Sequence, residues 1–64
     1  MKVKYDREVD ILYIRLTDNQ IEESDEDRPG VVIDYDANGM MVGIEIMDAS
    51  RRMDRPASIE LEVA

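Results

Sequence analysis

The sequence predicts a β-dominated α+β domain in which two antiparallel hairpins form one sheet beside a short C-terminal helix. Three observations carry that reading. Apolar residues recur with period two in "MKVKYD", "DILYIRLT", "VVIDY" and "MMVGIEIM", the pattern of half-buried strands. The runs fall into two pairs, each joined by a short segment of turn-forming residues, "DREV" and "DANG". After the last run, "DASRRM" stops short of Pro56, which suits a helix of about one turn.

In the first hairpin, Met1, Val3 and Tyr5 share one face of their strand, and Leu12, Ile14 and Leu16 share one face of the next. A four-residue loop Asp6–Val9 sets Tyr5 against Asp10, Val3 against Leu12 and Met1 against Ile14, so both apolar rows lie on one side. The segment "DNQIEESDEDRPG" follows, with acids at 18, 22, 23, 25, 26 and 27 and a Pro29-Gly30 break. It reads as a solvated connection with a short edge strand around Ile21. In the second hairpin, a loop Asp36–Gly39 sets Tyr35 against Met40, Ile33 against Val42 and Val31 against Ile44. Asp48 is placed to cap the short helix. The tail "SIELEV" alternates Ile59, Leu61 and Val63 with Glu60 and Glu62, which favours a last strand, although Glu and Leu suit a helix equally well.

The second turn also spells a metal-loop pattern. "DYDANGMMVGIE", residues 34 to 45, has Asp34, Asp36, Asn38, Gly39 and Glu45 at the spacing of a calcium-binding helix-loop-helix. Such a loop needs helices on both sides, and the flanks here are a Pro-Gly break with β-branched residues and a period-two run. In a hairpin Glu45 stands roughly 20 Å along the strand from the turn, too far to close a cage. The hairpin is therefore expected, with Asp36 accepting local backbone N–H bonds and Gly39 in the left-handed conformation.

Composition bounds the chemistry. Sixty-four residues make one small domain, residues 1–64, able to bury only roughly 60% of the surface its unfolded chain exposes. With no Cys and no His, thiolate chemistry, disulfides, soft metal ligands and the usual near-neutral general base are all missing. Sixteen acidic against eight basic residues leave a net charge of −8, which disfavours nucleic acid and anionic membrane and favours a basic protein partner. No apolar run approaches the about 20 residues of a membrane span, and Met1 leads straight into a strand pattern without a signal peptide, so a cytoplasmic location is expected. No cofactor and no catalytic or metal-ligating residue is assigned. A carboxylate-dependent divalent-metal enzyme remains as an alternative, in which Asp6 and Asp10 at one turn would meet Asp34 and Asp36 at the other.

"MKVKYD", "DILYIRL", "PGVVIDYDANG" and "VGIEIMDAS", in this order and spacing, resemble the small prokaryotic family known as domain of unknown function 2283. The likeness covers about residues 1–53 and rests on Tyr5-Asp6, Asp10, Leu12-Tyr13-Ile14, Gly30, Asp34, Asp36, Gly39, Gly43-Ile44-Glu45 and Asp48-Ala49. Arg7 stands where members often carry Pro, Met40 where a basic residue is frequent, and residues 54–64 fall outside the pattern. The resemblance implies a fold and no activity. Members resemble small partners encoded beside ribonuclease-like toxins, which implies an antitoxin-like neutraliser as an alternative to a plain interaction module.

Two surfaces are expected to carry binding. Glu22, Glu23, Asp25, Glu26 and Asp27 form an acidic surface for a basic partner. Ile11, Tyr13, Val32, Met41, Gly43 and Met47 lie on the face opposite the core and are expected to form a homodimer interface. Gly43, set opposite Val32 in that register, provides either room for coiling of the hairpin or a seat for a partner.

Overall fold

The computed structural model covers residues 1–64. Five strands, β1 (Lys2–Asp6), β2 (Ile11–Arg15), β3 (Glu23–Arg28), β4 (Val31–Tyr35) and β5 (Met41–Met47), form one sheet, followed by helix α1 (Ala49–Arg52). All neighbours are antiparallel, in the order β1-β2-β5-β4-β3. The β-dominated α+β architecture is as the sequence predicts, with one more strand than its two hairpins. No helix is long and apolar enough to cross a membrane.

The extra strand corrects the reading of the acidic segment. Glu23–Arg28 is an edge strand rather than a solvated connection, and Ile21 lies outside it. Pro29 and Gly30 link it tightly to β4, with Arg28 opposite Val31 and Gly30 at φ 81°. Proline followed by a positive-φ glycine is the chemistry of a type II turn. Acid content argued against burial, and the strand is indeed exposed at every residue; exposure on an edge does not prevent pairing with β4.

Both hairpin registers differ from the expected ones by two residues. Tyr5 pairs with Leu12 and Val3 with Ile14, because the first loop is Arg7–Asp10, closed by Asp10 at φ 56°. In the second hairpin Tyr35 pairs with Met41 and Ile33 with Ile44, with a bulge between those pairs. Lengthening the loop to include Met40 slips the register by one, which alone would send every side chain to the wrong face. The bulge at Val42 adds the second residue and restores parity. Val42 is fully buried, and its carbonyl accepts the N–H groups of Leu16 and Thr17, tying the β2–β3 connection across the sheet end.

The apolar face thus survives the slips. One row across the sheet runs Val3, Ile14, Ile44, Ile33, and a second runs Tyr5, Leu12, Ile46, Val31. Helix α1 packs at the end of the second row: Ala49 is fully buried and its N–H donates to the Asp10 carbonyl. Asp48 does not cap the helix through its side chain. It takes a left-handed conformation, φ 52°, which turns the chain from strand into helix, and the dock is made instead by Arg52, whose Nη2 donates to the Pro29 carbonyl at 2.6 Å. The tail is not a strand. Arg55 at φ 46° and the bond from the Ser58 N–H to its carbonyl turn the chain outward, and a period-two pattern without a neighbouring edge has nothing to pair with. Ile59, Leu61 and Val63 stay 60%, 81% and 86% exposed.

Candidate functional site

The turn Asp36–Met40 is the expected hairpin rather than a calcium loop. Asp36 Oδ1 accepts the N–H groups of Asn38 at 2.9 Å and Met40 at 3.0 Å, and Gly39 has φ 77°. Those backbone donors, with Asn19 Nδ2 on the other oxygen at 3.1 Å, hold the Asp36 carboxyl below the usual carboxylate range, the bond from Met40 contributing most. Asp34 and Glu45 face elsewhere in the sheet.

The sheet topology overturns the idea that the two turns meet. Ile11 pairs with Met47 while Arg15 pairs with Gly43 near the start of β5, so the Arg7–Asp10 and Asp36–Met40 turns sit at opposite ends. Asp6 and Asp10 cannot share a cation with Asp34 and Asp36. No group of three or more His, Cys, Asp or Glu side chains is arranged to hold a metal ion.

Each end instead carries an aspartate clamped by one tyrosine and one serine. At the helix end, Asp10 accepts Tyr5 Oη at 2.6 Å, Ser50 Oγ at 2.6 Å and the Ser50 N–H at 3.0 Å. The Ser50 hydroxyl, then Tyr5, hold the Asp10 carboxyl below its ordinary range, while the bond to Asp10 pushes the Tyr5 phenol up. Through these bonds Asp10 clamps β1, the first turn and α1 together.

The second cluster lies on the opposite face. Asp34 is only 7% exposed, and its two oxygens accept Tyr13 Oη at 3.1 Å and Ser24 Oγ at 2.6 Å. Here Gly43 finds its role. It pairs with Arg15 on one side and Asp34 on the other, not with Val32, and a Cβ on it would stand 2.5 Å from Tyr13 Oη. The space above Gly43 is filled by the tyrosine of its own chain, so it is neither a seat for a partner nor room for coiling. Correct register would have shown this in the sequence, since Tyr13 lies diagonal to Gly43 in the pairing of β2 with β5.

The expected interface residues are brought together in part. Ile11 pairs with Met47, and Tyr13 and Val32 flank Glu45 on the same face as Gly43. Met41 lies across the bulge, opposite Tyr35, and stands apart from the other five. Lys4, Asp6, Val9, Ile11, Tyr13 and Glu45 line a shallow groove of about 230 Å³, below the roughly 300 Å³ at which small-molecule sites begin.

The acidic residues Glu23, Asp25, Glu26 and Asp27 all lie on edge strand β3, and Glu22 precedes it, its N–H donating to the Tyr35 carbonyl. The strand pairs with β4 on one side only. The sole ion pair within the chain joins Asp27 Oδ2 to Arg28 Nε at 3.7 Å, both side chains well exposed; a pair of that kind contributes little.

No curated protein and no solved structure matches the chain. The model of the family described as a protein of unknown function, DUF2283, matches residues 2–50, which takes in the whole sheet and the start of α1, the Asp36 turn, and both clamped aspartates with their partners Tyr5, Tyr13, Ser24 and Ser50. By that match over most of its length, the chain belongs to the domain of unknown function 2283 family.

Proposed function

We propose that the chain is a non-enzymatic protein-interaction module whose edge strand β3 recruits a basic segment of another protein in the cytoplasm. The observation that carries this is the combination of an open strand edge with acid. β3 is exposed at every residue, pairs on one side only, and holds Glu23, Asp25, Glu26 and Asp27, of which only Asp27 has a cationic neighbour in the chain. A charged edge resists pairing with another copy of itself. A strand carrying Lys or Arg would gain both backbone hydrogen bonds and cross-strand charge pairs. The chain's net charge of −8 adds long-range attraction for such a partner.

The neutraliser of a basic ribonuclease-like protein is a sharper form of the same reading, in which Glu22 to Asp27 occupy a cleft built for phosphates. It draws on the family resemblance, and a small basic protein encoded alongside would favour it. The test replaces Glu22, Glu23, Asp25, Glu26 and Asp27 by Ser or Gln and measures binding of an extended peptide alternating Lys with Thr. The expected result is binding by the native chain, loss in the variant, and unchanged melting. Equal binding by both chains would reject the proposal.

A further inference from the structure

We propose that a second copy of this chain packs against the apolar face of the sheet, the face that α1 leaves half covered, to form a two-fold symmetric dimer. The row Val3, Ile14, Ile44, Ile33 crosses four strands without a polar interruption. In a finished two-layer domain the members of such a row on inner strands are buried. Here none is: Ile14, Ile33 and Ile44 are half-buried and Val3 is 40% exposed. Burial is complete at Ala49 and Val42, beside α1 and the β2–β3 connection, and nearly so at Leu12 in the second row.

The surface area points the same way. A folded monomer of 7.4 kDa exposes about 4,200 Å² by mass scaling, and this chain exposes 5176 Å². The surplus of about 1,000 Å² is comparable to the roughly 800 Å² that each partner contributes to a standard interface. The radius of gyration, 12.4 Å, likewise exceeds the about 10.7 Å of a compact chain of this length. The extended tail accounts for part of both differences, but not for the half-buried row, which belongs to the sheet itself.

Charge selects the face. Strands β1, β2, β5 and β4 send no charged side chain to the apolar face; Glu23, Asp25 and Arg28 of β3 stand at its rim. The opposite face, where the sequence placed the dimer interface, carries Lys2, Lys4, Arg15, Asp34 and Glu45, and burying these would cost desolvation. An isologous pair brings the same apolar row from each copy together and leaves the β3 edge free, so this surface is independent of the β3 proposal. Each copy brings a charge of −8, so association should tighten as salt screens it.

Sedimentation of the full chain at about 0.15 M salt should show a dimer at tens of micromolar. Val3→Glu should weaken it by at least about tenfold, because the new carboxylate would be buried unpaired, while Met47→Lys on the other face should leave it intact. Because a face variant can misfold, the native chain supplies a second readout: the methyl groups of Ile14, Ile33 and Ile44 should become protected from a soluble paramagnetic probe as concentration rises. A strict monomer would overturn the inference. So would a dimer protecting Ile11 and Met47 instead, or protection of the Ile14, Ile33 and Ile44 methyls that is independent of concentration.

Discussion

Replacing Gly43 by Ala tests the account of the Tyr13–Asp34 contact. The added Cβ would stand 2.5 Å from Tyr13 Oη, 3.0 Å from Tyr13 Cζ and 3.3 Å from Asp34 Oδ2. The end of the ring must swing outward, and with it goes the hydrogen bond to Asp34. Asp34, only 7% exposed, then keeps Ser24 as its one partner. A hydrogen bond to a charged group contributes about 1.5–3 kcal/mol, and alanine in place of a strand glycine returns about 0.5–1 kcal/mol through the unfolded chain. The net loss is about 1–2 kcal/mol, or about 5–15 °C in melting temperature for a domain of this size. Thermal melts at one fixed protein concentration measure it, so that association does not confound the comparison. The decisive comparison repeats the substitution in a Tyr13→Phe background. There the hydroxyl and its bond are already gone and only the milder contacts with the ring Cζ at 3.0 Å and Asp34 Oδ2 at 3.3 Å remain, so Gly43→Ala should cost at least about 1 kcal/mol less than in the native chain. An equal cost in both backgrounds would refute the reasoning and leave Gly43 with no role in that contact.

Gly39→Ala should destabilise the fold by about 1 kcal/mol, through its φ of 77° alone, since nothing lies within 4 Å of the added Cβ; Gly39→Asn, measured by the same melt, should cost less because Asn tolerates that conformation. Asp10 has a folded pKa below its ordinary 3.8, so its contribution is complete above that value and drains away as pH falls through the folded pKa. A stability profile should therefore drop on the acid side of 3.8, and Asp10→Asn should flatten part of that limb. Tyr5, with a pKa raised above 10.0, has the reverse sign: its contribution is full below 10.0 and lost as pH rises through the folded value, so Tyr5→Phe should flatten the alkaline limb in the same titration. Arg52→Ala should loosen α1 from the β3–β4 turn by removing the bond to the Pro29 carbonyl, seen as faster amide exchange at Met53, whose N–H is bonded to the Ala49 carbonyl.

Strand alternation, turn residues and the short helix were legible because each is written in local sequence. Register was not, and the reason is parity. The expected and observed pairings of Tyr5 differ by two positions, Asp10 against Leu12, and those of Ile33 likewise, Val42 against Ile44. Each choice puts the same aliphatic residues on the same face, so hydrophobic pattern cannot tell them apart. What separates them is geometry that pattern does not encode: a left-handed Asp10 that closes a longer turn, and a bulge at Val42 stabilised by a carbonyl shared between Leu16 and Thr17. The error propagated to the candidate site. With Gly43 placed opposite Val32 it looked like an opening for a partner, and two residues along it lies beneath Tyr13. The strand at Glu23–Arg28 escaped for a different reason, since five charged side chains in six carry no alternation of apolar residues by which to recognise it.

That concealed strand also bears on what the chain is built to do. A domain this small gains little from a six-residue edge strand that buries nothing: every residue of β3 is exposed, and of its side chains its one serine, Ser24, reaches an inner group. Through Ser24 and Tyr13, however, β3 and β2 are both tied to Asp34 of β4, across a sheet in which β2 and β3 are not neighbours. The buried carboxylate therefore holds the acidic edge in a fixed position relative to the centre of the sheet. Such rigidity has little effect on a solvated loop, but it lowers the entropy lost when a strand edge accepts another chain. Asp34→Asn keeps an acceptor for one hydroxyl while removing the charge that both bonds share, so it should leave the strand order intact and increase the mobility of β3. On the interaction reading it should weaken binding of the Lys-alternating peptide even though no residue of β3 has changed, and undiminished binding by a demonstrably more mobile β3 would show that a fixed edge is not what the partner requires.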